Sequence, residues 1–427
     1  MKRALLACVL MLTMVGAITP AVADGHDNYD NVDRLFENSK FCDKFQSFRP
    51  REAVVDGPSS QLGLFNEVFE PAYAKACRIG SGLLTYLGTG ERAGVNAILN
   101  RRADRAFGTT DVPLSQVEIV EANLDLRAPD RRGRITSIHH IPVAVQITAV
   151  VFNLSACGVD QLNLRSPVLS SVFSGTITRW NDGVLVRDNP KLADCDAPIR
   201  LVKRADVAGS SLSLKDYLSK RNPQWNYYRQ PSRNQAWPTI QNYCPALDEG
   251  GMADCIRSTQ YSIGYIQYRA ARLARLKVAR LDNPVSTASL DPDTAFVAPS
   301  PAACTAAAES AFIPPGHQKR AVTATFFTFE TPSVSPTRGD WNSVSLTDAP
   351  RGYPLCSLSY ALIYISLQNT YHGQLYLPGT ARTAVDYLWT AVSPAAQKRL
   401  PAFDFGTLPD QIVAVSRLGL SEIRYAG

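Results

Sequence analysis

Histidine is scarce in this sequence, and no cysteine pair has the spacing of a metal or redox site. Five histidines occur among 427 residues. Two of them, His139 and His140, are adjacent, so on a strand their side chains would point to opposite faces. A Cys-x-x-Cys motif is absent, which argues against a zinc ribbon or a thioredoxin-like site. The sequence therefore predicts neither a metal nor a cofactor.

The chain also lacks the dense basic stripe of a nucleic-acid-binding protein. Its 44 Lys and Arg residues stand against 38 Asp and Glu residues, a net charge of +6. That mild balance suits a small anionic ligand and does not indicate a nucleic-acid partner. No internal repeat is visible, and no second long apolar run follows the N-terminal one. A soluble body is therefore expected.

The N-terminus has the pattern of an export signal. Two basic residues precede an apolar run over Ala4–Ala17, and Ala21–Ala23 is a small-residue cleavage site. This pattern predicts a signal peptide over residues 1–23 and a periplasmic or secreted protein. A retained membrane anchor is one alternative. A lipid anchor on Cys8 is another, although little apolar sequence precedes that residue.

Removal of the signal leaves an even number of cysteines, which in an exported chain predicts four disulfides. Sequence alone allows 105 pairings of eight cysteines. Pairing of nearest neighbours is our hypothesis: Cys42–Cys77, Cys157–Cys195, Cys244–Cys255 and Cys304–Cys356.

Two turns are candidates for an anion site, because each joins a strand to the start of a helix. The first is Gly88–Gly90, between a strand at Leu83–Tyr86 and a helix from Ala93. The second, Ala205–Ser211, follows a strand at Ile199–Arg204 and adds a cation, a glycine and hydroxyls. A helix N-terminus offers free N–H groups and a positive dipole end to an anion. The alternatives are a plain tight turn in the first case and serine capping in the second.

The rest of the chain alternates between predicted helices and strands. This alternation favours an α/β fold with mostly parallel sheets, whose ligands bind beyond the carboxyl ends of the strands. The further predicted strands are Ile138–Asn153 and Leu362–Leu367, and the further helices are Gly63–Arg78, Leu162–Thr178, Ala302–Ala311 and Ala384–Val392.

Five segments, in order, resemble the blocks of one family. Residues 174–182 resemble the GKITKWND signature of phosphate-binding proteins, and residues 202–211 resemble their RADGSGTS phosphate loop. Residues 86–111, 262–266 and 408–409 resemble three further blocks. The chain therefore resembles the periplasmic phosphate-binding component of phosphate ABC transporters. The Cys304–Cys356 spacing is similar to that of the DING branch.

The resemblance implies an α/β fold of the two-lobed periplasmic-binding-protein type II, with mixed sheets flanked by helices and two crossover strands. It implies a first lobe of residues 24–141 with 352–427, and a second lobe of residues 142–351. The implied protein is a monomer without enzymatic activity that binds phosphate or a related oxyanion between the lobes. It would serve an inner-membrane ABC permease or act as a scavenger.

The resemblance also implies the site. Arg204 would fork onto the anion and Asp206 would orient it, while Gly209 and Ser210 would donate hydrogen bonds. Asp111 would accept the proton of a hydrogen phosphate, and Thr89 lies in the first loop.

The sequence departs from the family pattern at three places. Glu91 and Ala208 replace two serines of the family, and Ser59 or Ser60 are candidates for an N-terminal hydroxyl donor. If Glu91 points inward, it would repel an anion; Arg92 could neutralise it, or it could turn to solvent. The alternative functions are a DING-type phosphatase and a surface protein that has lost binding.

Overall fold

A computed structural model of the protein describes residues 42, 48–123, 137–219, 222–228, 236–241, 243–283, 296–311, 336–338, 341, 344–371 and 377–425. The predicted signal peptide, residues 1–23, lies outside the described residues. Within those ranges, no helix combines the length and the apolar character that crossing a membrane requires.

The described strands form one large and one small sheet. The large sheet has the order β2-β1-β3-β11-β4-β7-β6, with β8 also paired to β4, and the small sheet has the order β10-β9-β5. The strands are β1 (Ala53–Asp56), β2 (Leu84–Tyr86), β3 (Phe107–Thr110), β4 (Ile138–Asn153), β5 (Asn163–Leu164), β6 (Arg200–Leu201), β7 (Ser262–Gln267), β8 (Lys277–Val278), β9 (Arg280–Asp282), β10 (Phe296–Val297) and β11 (Cys356–Tyr364).

Helices flank both sheets. They are α1 (Glu70–Cys77), which continues a π-helical segment at Leu64–Phe69, α2 (Glu91–Leu99), α3 (Gln116–Asn123), α4 (Ser166–Phe173), α5 (Gly183–Asp188), α6 (Gly209–Ser219), α7 (Glu249–Ser258), α8 (Tyr268–Leu273), α9 (Pro301–Ser310), α10 (Leu367–Thr370), α11 (Pro378–Ala391), α12 (Pro394–Gln397) and α13 (Asp410–Glu422). Short 3₁₀ segments lie at Ser59–Gln61, Ser155–Cys157, Pro190–Asp194, Pro223–Asn226, Pro336–Arg338 and Leu400–Phe403.

Buried apolar side chains form two separate clusters. The first cluster is built on β1–β3, the start of β4, the end of β11 and α11. The second cluster is built on the rest of β4 with β7, α4 and α6. The clusters meet between Ala144 and Val145 on β4 and between Tyr360 and Ala361 on β11. Two hydrophobic cores on one chain fit its length, which is large for a single core.

Most predicted elements are confirmed, but the prediction of mostly parallel sheets is wrong. β1 pairs in parallel with β2 and β3, and β6 pairs in parallel with β7. β11 is antiparallel to β3 and β4, and β4 is antiparallel to β7 and β8. The two long strands pass between the clusters in opposite directions, and this sets the antiparallel pairs.

Several predicted boundaries also differ. The strand predicted at Leu362–Leu367 is β11, which begins at Cys356 and ends at Tyr364, and Leu367 begins α10. The expected strand at Ile199–Arg204 covers only Arg200–Leu201, so Arg204 lies on a loop. The expected helix at Leu162–Thr178 is the shorter α4, preceded by the two-residue strand β5. Pro167 lies at the start of α4, where a missing N–H is tolerated, and its ring hinders a helix from beginning earlier.

The hypothesis of nearest-neighbour disulfides is confirmed. The four disulfides are Cys42–Cys77, Cys157–Cys195, Cys244–Cys255 and Cys304–Cys356. Their Cα–Cα distances of 5.3 to 5.9 Å lie within the range that a disulfide spans. Three of the bonds, Cys157–Cys195, Cys244–Cys255 and Cys304–Cys356, brace the second cluster, because all six of these cysteines lie in it or against it.

We predict that the exported protein has no free thiol. Titration of thiols under denaturing, non-reducing conditions should detect none, whereas two or more reactive thiols per chain would contradict the pairing. Replacing both Cys157 and Cys195 by serine should lower the free energy of unfolding by about 2–4 kcal/mol, since the unfolded chain gains freedom. Urea unfolding of the wild type and the double variant measures that difference.

Candidate functional site

Arg204 lies on the loop after β6 and is held by two carboxylates. Its Nε and Nη2 donate to the two oxygens of Asp206, each at 2.6 Å, and its Nη1 donates to Oε1 of Glu249. Nη2 also donates to the carbonyl of Leu247 at 3.3 Å. The planar fork predicted to grip an anion is therefore turned onto Asp206, and among the described residues no acceptor takes the second N–H of Nη1.

The charges around Arg204 favour its cationic form. Burial works against the charge, but Glu249 and Asp206 outweigh burial and raise the pKa of Arg204 above its usual value. Burial also raises the pKa of Glu249, and the opposing effect of Arg204 is only partial. The arginine therefore stays charged, while Glu249 takes up a proton more readily than an ordinary glutamate.

The N-terminus of α6 follows Arg204 and carries unused donors. The N–H groups of Ser211 and Leu212 both donate to the carbonyl of Ala208. Among the described residues, no acceptor is found for the N–H of Gly209 or Ser210, and none for the buried hydroxyl of Ser210. The second predicted loop therefore presents free donors, as an anion site at a helix N-terminus requires.

Gly209 lets this helix N-terminus approach Asp111. A Cβ built on Gly209 would lie 2.3 Å from the Cβ of Asp111, closer than two such atoms can come. Any side chain at position 209 would therefore separate α6 from Asp111. The absence of a side chain at Gly209 therefore allows the N-terminus of α6 and Asp111 to be in direct contact.

Asp111 follows β3 and is buried, and it faces the N-terminus of α6. Its carboxylate accepts hydrogen bonds from the hydroxyl of Ser60, from Nε2 of Gln61 at 2.6 Å and from Oγ of Ser359 at 2.6 Å. Nε2 of Gln146 on β4 lies farther away, at 3.4 Å. Burial raises the pKa of Asp111, although these donors oppose the rise. Of the two candidate hydroxyls, Ser60 is the one that contacts Asp111.

Thr89 lies on the first loop, but its donors are directed at Asp56. The backbone N–H and the hydroxyl of Thr89 donate to Oδ1 of Asp56 at 3.2 and 2.7 Å. The same oxygen accepts the N–H of Gly57 at 2.9 Å. Asp56 thus ties the loop to the end of β1, and the hydroxyl of Thr89 is already paired.

Glu91 begins α2 and is buried, so the alternative that it turns to solvent is wrong. Its carboxylate accepts from the hydroxyl of Thr110 and from the N–H groups of Asp111 and Val112, the latter two at 3.1 Å. These bonds fix the turn that carries Asp111. The glutamate therefore acts as a support for Asp111, in the place where the family has a hydroxyl.

The loops surround a cavity of about 760 Å³ between the two clusters. Residues 58–60, 62, 88–93, 204–209 and 247–249 line it. A small inner pocket lies behind it, lined by Ser60, Asp111, Gln146, Thr148, Gly209, Ser210, Glu249, Gln267 and Ser357. Arg204, Asp206, Gly209, Thr89 and Glu91 border the cavity, and Asp111 and Ser210 border the pocket, so all seven predicted site residues lie together.

Sequence reasoning missed Gln61, Gln146, Ser359 and Glu249. Gln146 and Ser359 carried a signal, because each interrupts an apolar strand, and a buried polar group needs a partner. Gln146 is 3% exposed on β4 and Ser359 is 0% exposed on β11. Glu249 and Gln61 gave no such signal, since each stands in a polar stretch of sequence.

Comparisons with known proteins show which family the chain is similar to. The model of the PBP superfamily domain matches residues 46–364. The phosphate-binding protein PstS of Xylella fastidiosa is 26% identical over 200 residues, 47% of this chain and 50% of that protein. PstS of Pasteurella multocida is 29% identical over 201 residues, 46% and 55% of the two chains. The chain thus spans about half the length of these curated relatives.

Solved structures show the same fold. A high-affinity periplasmic phosphate-binding protein (PfluDING), solved with phosphate, has a TM-score of 0.57 at 16% identity and covers 86% of this chain and 93% of its own. A phosphate-binding protein of Stenotrophomonas maltophilia also has a TM-score of 0.57, at 15% identity over the same shares. The predicted two-lobed type II fold with mixed sheets is confirmed. The chain therefore belongs to the PBP superfamily, within which its relatives are phosphate-binding proteins.

Proposed function

We propose that this protein is an exported solute-binding protein that holds inorganic phosphate or a related oxyanion in the cleft. The observation that carries the proposal is the N-terminus of α6, whose unpaired N–H groups and Ser210 hydroxyl lie beside Arg204. Backbone donors at a helix N-terminus bind an anion without needing a full counter-charge.

Asp111 supports phosphate over an oxyanion without a proton. A carboxylate only accepts hydrogen bonds, so an oxygen of the ligand that faces Asp111 must carry a proton. Hydrogen phosphate has such an oxygen, whereas sulfate does not. The single O–H of Ser60 already donates to Asp111, so this hydroxyl supports the carboxylate and is not a second donor to the ligand.

The positions of the two clusters support the predicted lobes. The clusters part after Ala144 on β4 and after Tyr360 on β11, three and nine residues beyond the predicted boundaries at residues 141/142 and 351/352. We place Asp111 on the first lobe and Arg204 with α6 on the second. Delivery to an inner-membrane ABC permease from the periplasm, as a monomer, completes the proposal.

Binding of phosphate to the purified protein tests the proposal. The protein is unfolded, dialysed to remove any bound anion, refolded and titrated with phosphate in a calorimeter. One phosphate per chain is expected, and native mass spectrometry should show the same ratio. Absence of binding at about 1 mM phosphate would contradict the proposal, because a Kd of that size corresponds to a binding free energy of only about −4 kcal/mol. Turnover of a chromogenic phosphate ester would instead favour the phosphatase alternative.

We predict that Arg204→Ala weakens phosphate binding by roughly thirtyfold or more, since a charge-assisted hydrogen bond in a closed cleft is lost. Asp206 and Glu249 would also lose their cation, which adds repulsion towards the anion. The matched control is Arg179→Ala, because Arg179 is half-exposed and pairs with the exposed Asp196. Calorimetry of both variants, with thermal unfolding to check the fold, measures the effect. Equal affinities in the two variants would remove Arg204 from the site.

We predict that Glu91→Ser weakens binding and lowers the free energy of unfolding by about 1–3 kcal/mol, the cost of leaving buried donors unpaired. Thr110, Asp111 and Val112 would each lose an acceptor. Glu67→Ser is the control, since Glu67 lies half-exposed on the π-helical segment. Tighter phosphate binding in Glu91→Ser would mean that the glutamate repels the ligand instead of supporting Asp111.

A further inference from the structure

Glu249 is a buried carboxylate that borders both compartments of the cleft. It is the first residue of α7 and lines the large cavity as well as the inner pocket. Its Oε1 accepts from Nη1 of Arg204, and its Oε2 accepts the N–H of Gln267 at 2.7 Å. Each carboxylate oxygen has a second lone pair, so Glu249 can still accept a proton-bearing group from the cleft.

Around Glu249, negatively charged carboxylates outnumber positively charged side chains. Asp111 faces it across the inner pocket, and Asp206 shares Arg204 with it. Arg204 carries one positive charge against the three carboxylates, so this group has a formal charge of −2. An anion that enters without a proton therefore meets a surplus of negative charge, partly shielded from water.

We propose that Glu249 is a second proton-accepting carboxylate of the anion site, which makes the site select oxyanions that can carry protons, such as phosphate or arsenate, over sulfate. The inference rests on the proposed function. In it, Asp111 accepts one O–H of the ligand from the first cluster's side, and Glu249 accepts another from the second cluster's side.

Two accepting carboxylates determine how many protons must be taken up when phosphate binds. Above neutral pH, phosphate is mainly the dianion with a single O–H, which satisfies one carboxylate. The second carboxylate needs a further proton, taken from solution by the ligand or by Glu249 itself. Binding should therefore take up close to one proton per phosphate at about pH 8, and affinity should fall as pH rises, because that proton becomes harder to obtain.

Other charged and titratable groups contact Glu249 or Arg204, or line the compartments that Glu249 borders, and the test leaves them unchanged. They are Arg204 and Asp206 on the loop after β6, Asp248 before α7, Tyr265 on β7, Asp111 after β3, and Glu91 and Arg92 at the start of α2. A change at position 249 alone leaves this set intact.

Calorimetric titration with phosphate and with sulfate tests the inference, in buffers of different ionisation enthalpy to count protons. In Glu249→Gln, proton uptake with phosphate at about pH 8 should fall to near zero, and the preference for phosphate over sulfate should drop by tenfold or more. The matched control is Asp206→Asn, which removes the same charge from Arg204 but does not border the inner pocket. It should shift both affinities together and keep the proton uptake.

The results distinguish a failure of the proposed function from a failure of the role proposed for Glu249. If the wild type binds neither anion, the proposed function and the inference both fail. If the wild type binds phosphate without taking up a proton, the inference alone fails, and this measurement needs no variant. An unchanged anion preference in folded Glu249→Gln would also overturn it. Glu249→Asp, which keeps the carboxylate, should retain the preference for phosphate.

Discussion

Two antiparallel strands, β4 and β11, run through both buried clusters, and the position of the cleft depends on them. Their register pairs Val145 with Leu358 and Gln146 with Ser357, next to the point where the clusters part. Polar side chains therefore lie in the middle of otherwise apolar strands. A buried polar group that lacks a hydrogen bond is costly, so these side chains need polar partners. Asp111, with its bonds to Ser359 and Gln146, is the main one.

Arg204 shows how a buried cation limits what the site can offer. A buried charge has to be paired, and Asp206 and Glu249 pair it on two sides. The pairing holds the guanidinium in place but uses most of its N–H groups. The N-terminus of α6 supplies the remaining donors, which need no counter-charge because they are backbone groups. Arg204 thus supplies a fixed positive charge, and the N-terminus of α6 supplies the free hydrogen-bond donors.

The sequence predicts the loops and disulfides around this site better than the hydrogen bonds within it. Both turns were predicted, because glycines and hydroxyls between a strand and a helix form a local pattern. The disulfides were also local in sequence, so nearest-neighbour pairing was right. The direction of β11 was not predictable from periodicity, which does not report which strand lies alongside. The role of Glu91 was not predictable either, because its acceptor oxygens meet the backbone of Asp111, twenty positions away. Residue types reveal charge, whereas tertiary packing decides which backbone N–H a carboxylate reaches.

The charge near the cleft differs from the charge of the whole chain, and this changes the physical basis of anion recognition. The net charge of +6 is mildly positive for the whole chain. Yet five carboxylates and two arginines border the two compartments among the described residues. Long-range attraction is weakened by salt beyond about 10 Å, and here the local field opposes an anion. In the function that we propose, attraction then comes from short hydrogen bonds at α6, and discrimination comes from carboxylates that accept only a protonated oxygen. The proposed site selects its ligand by proton content more than by charge, which suits phosphate since its proton number changes near neutral pH while that of sulfate does not.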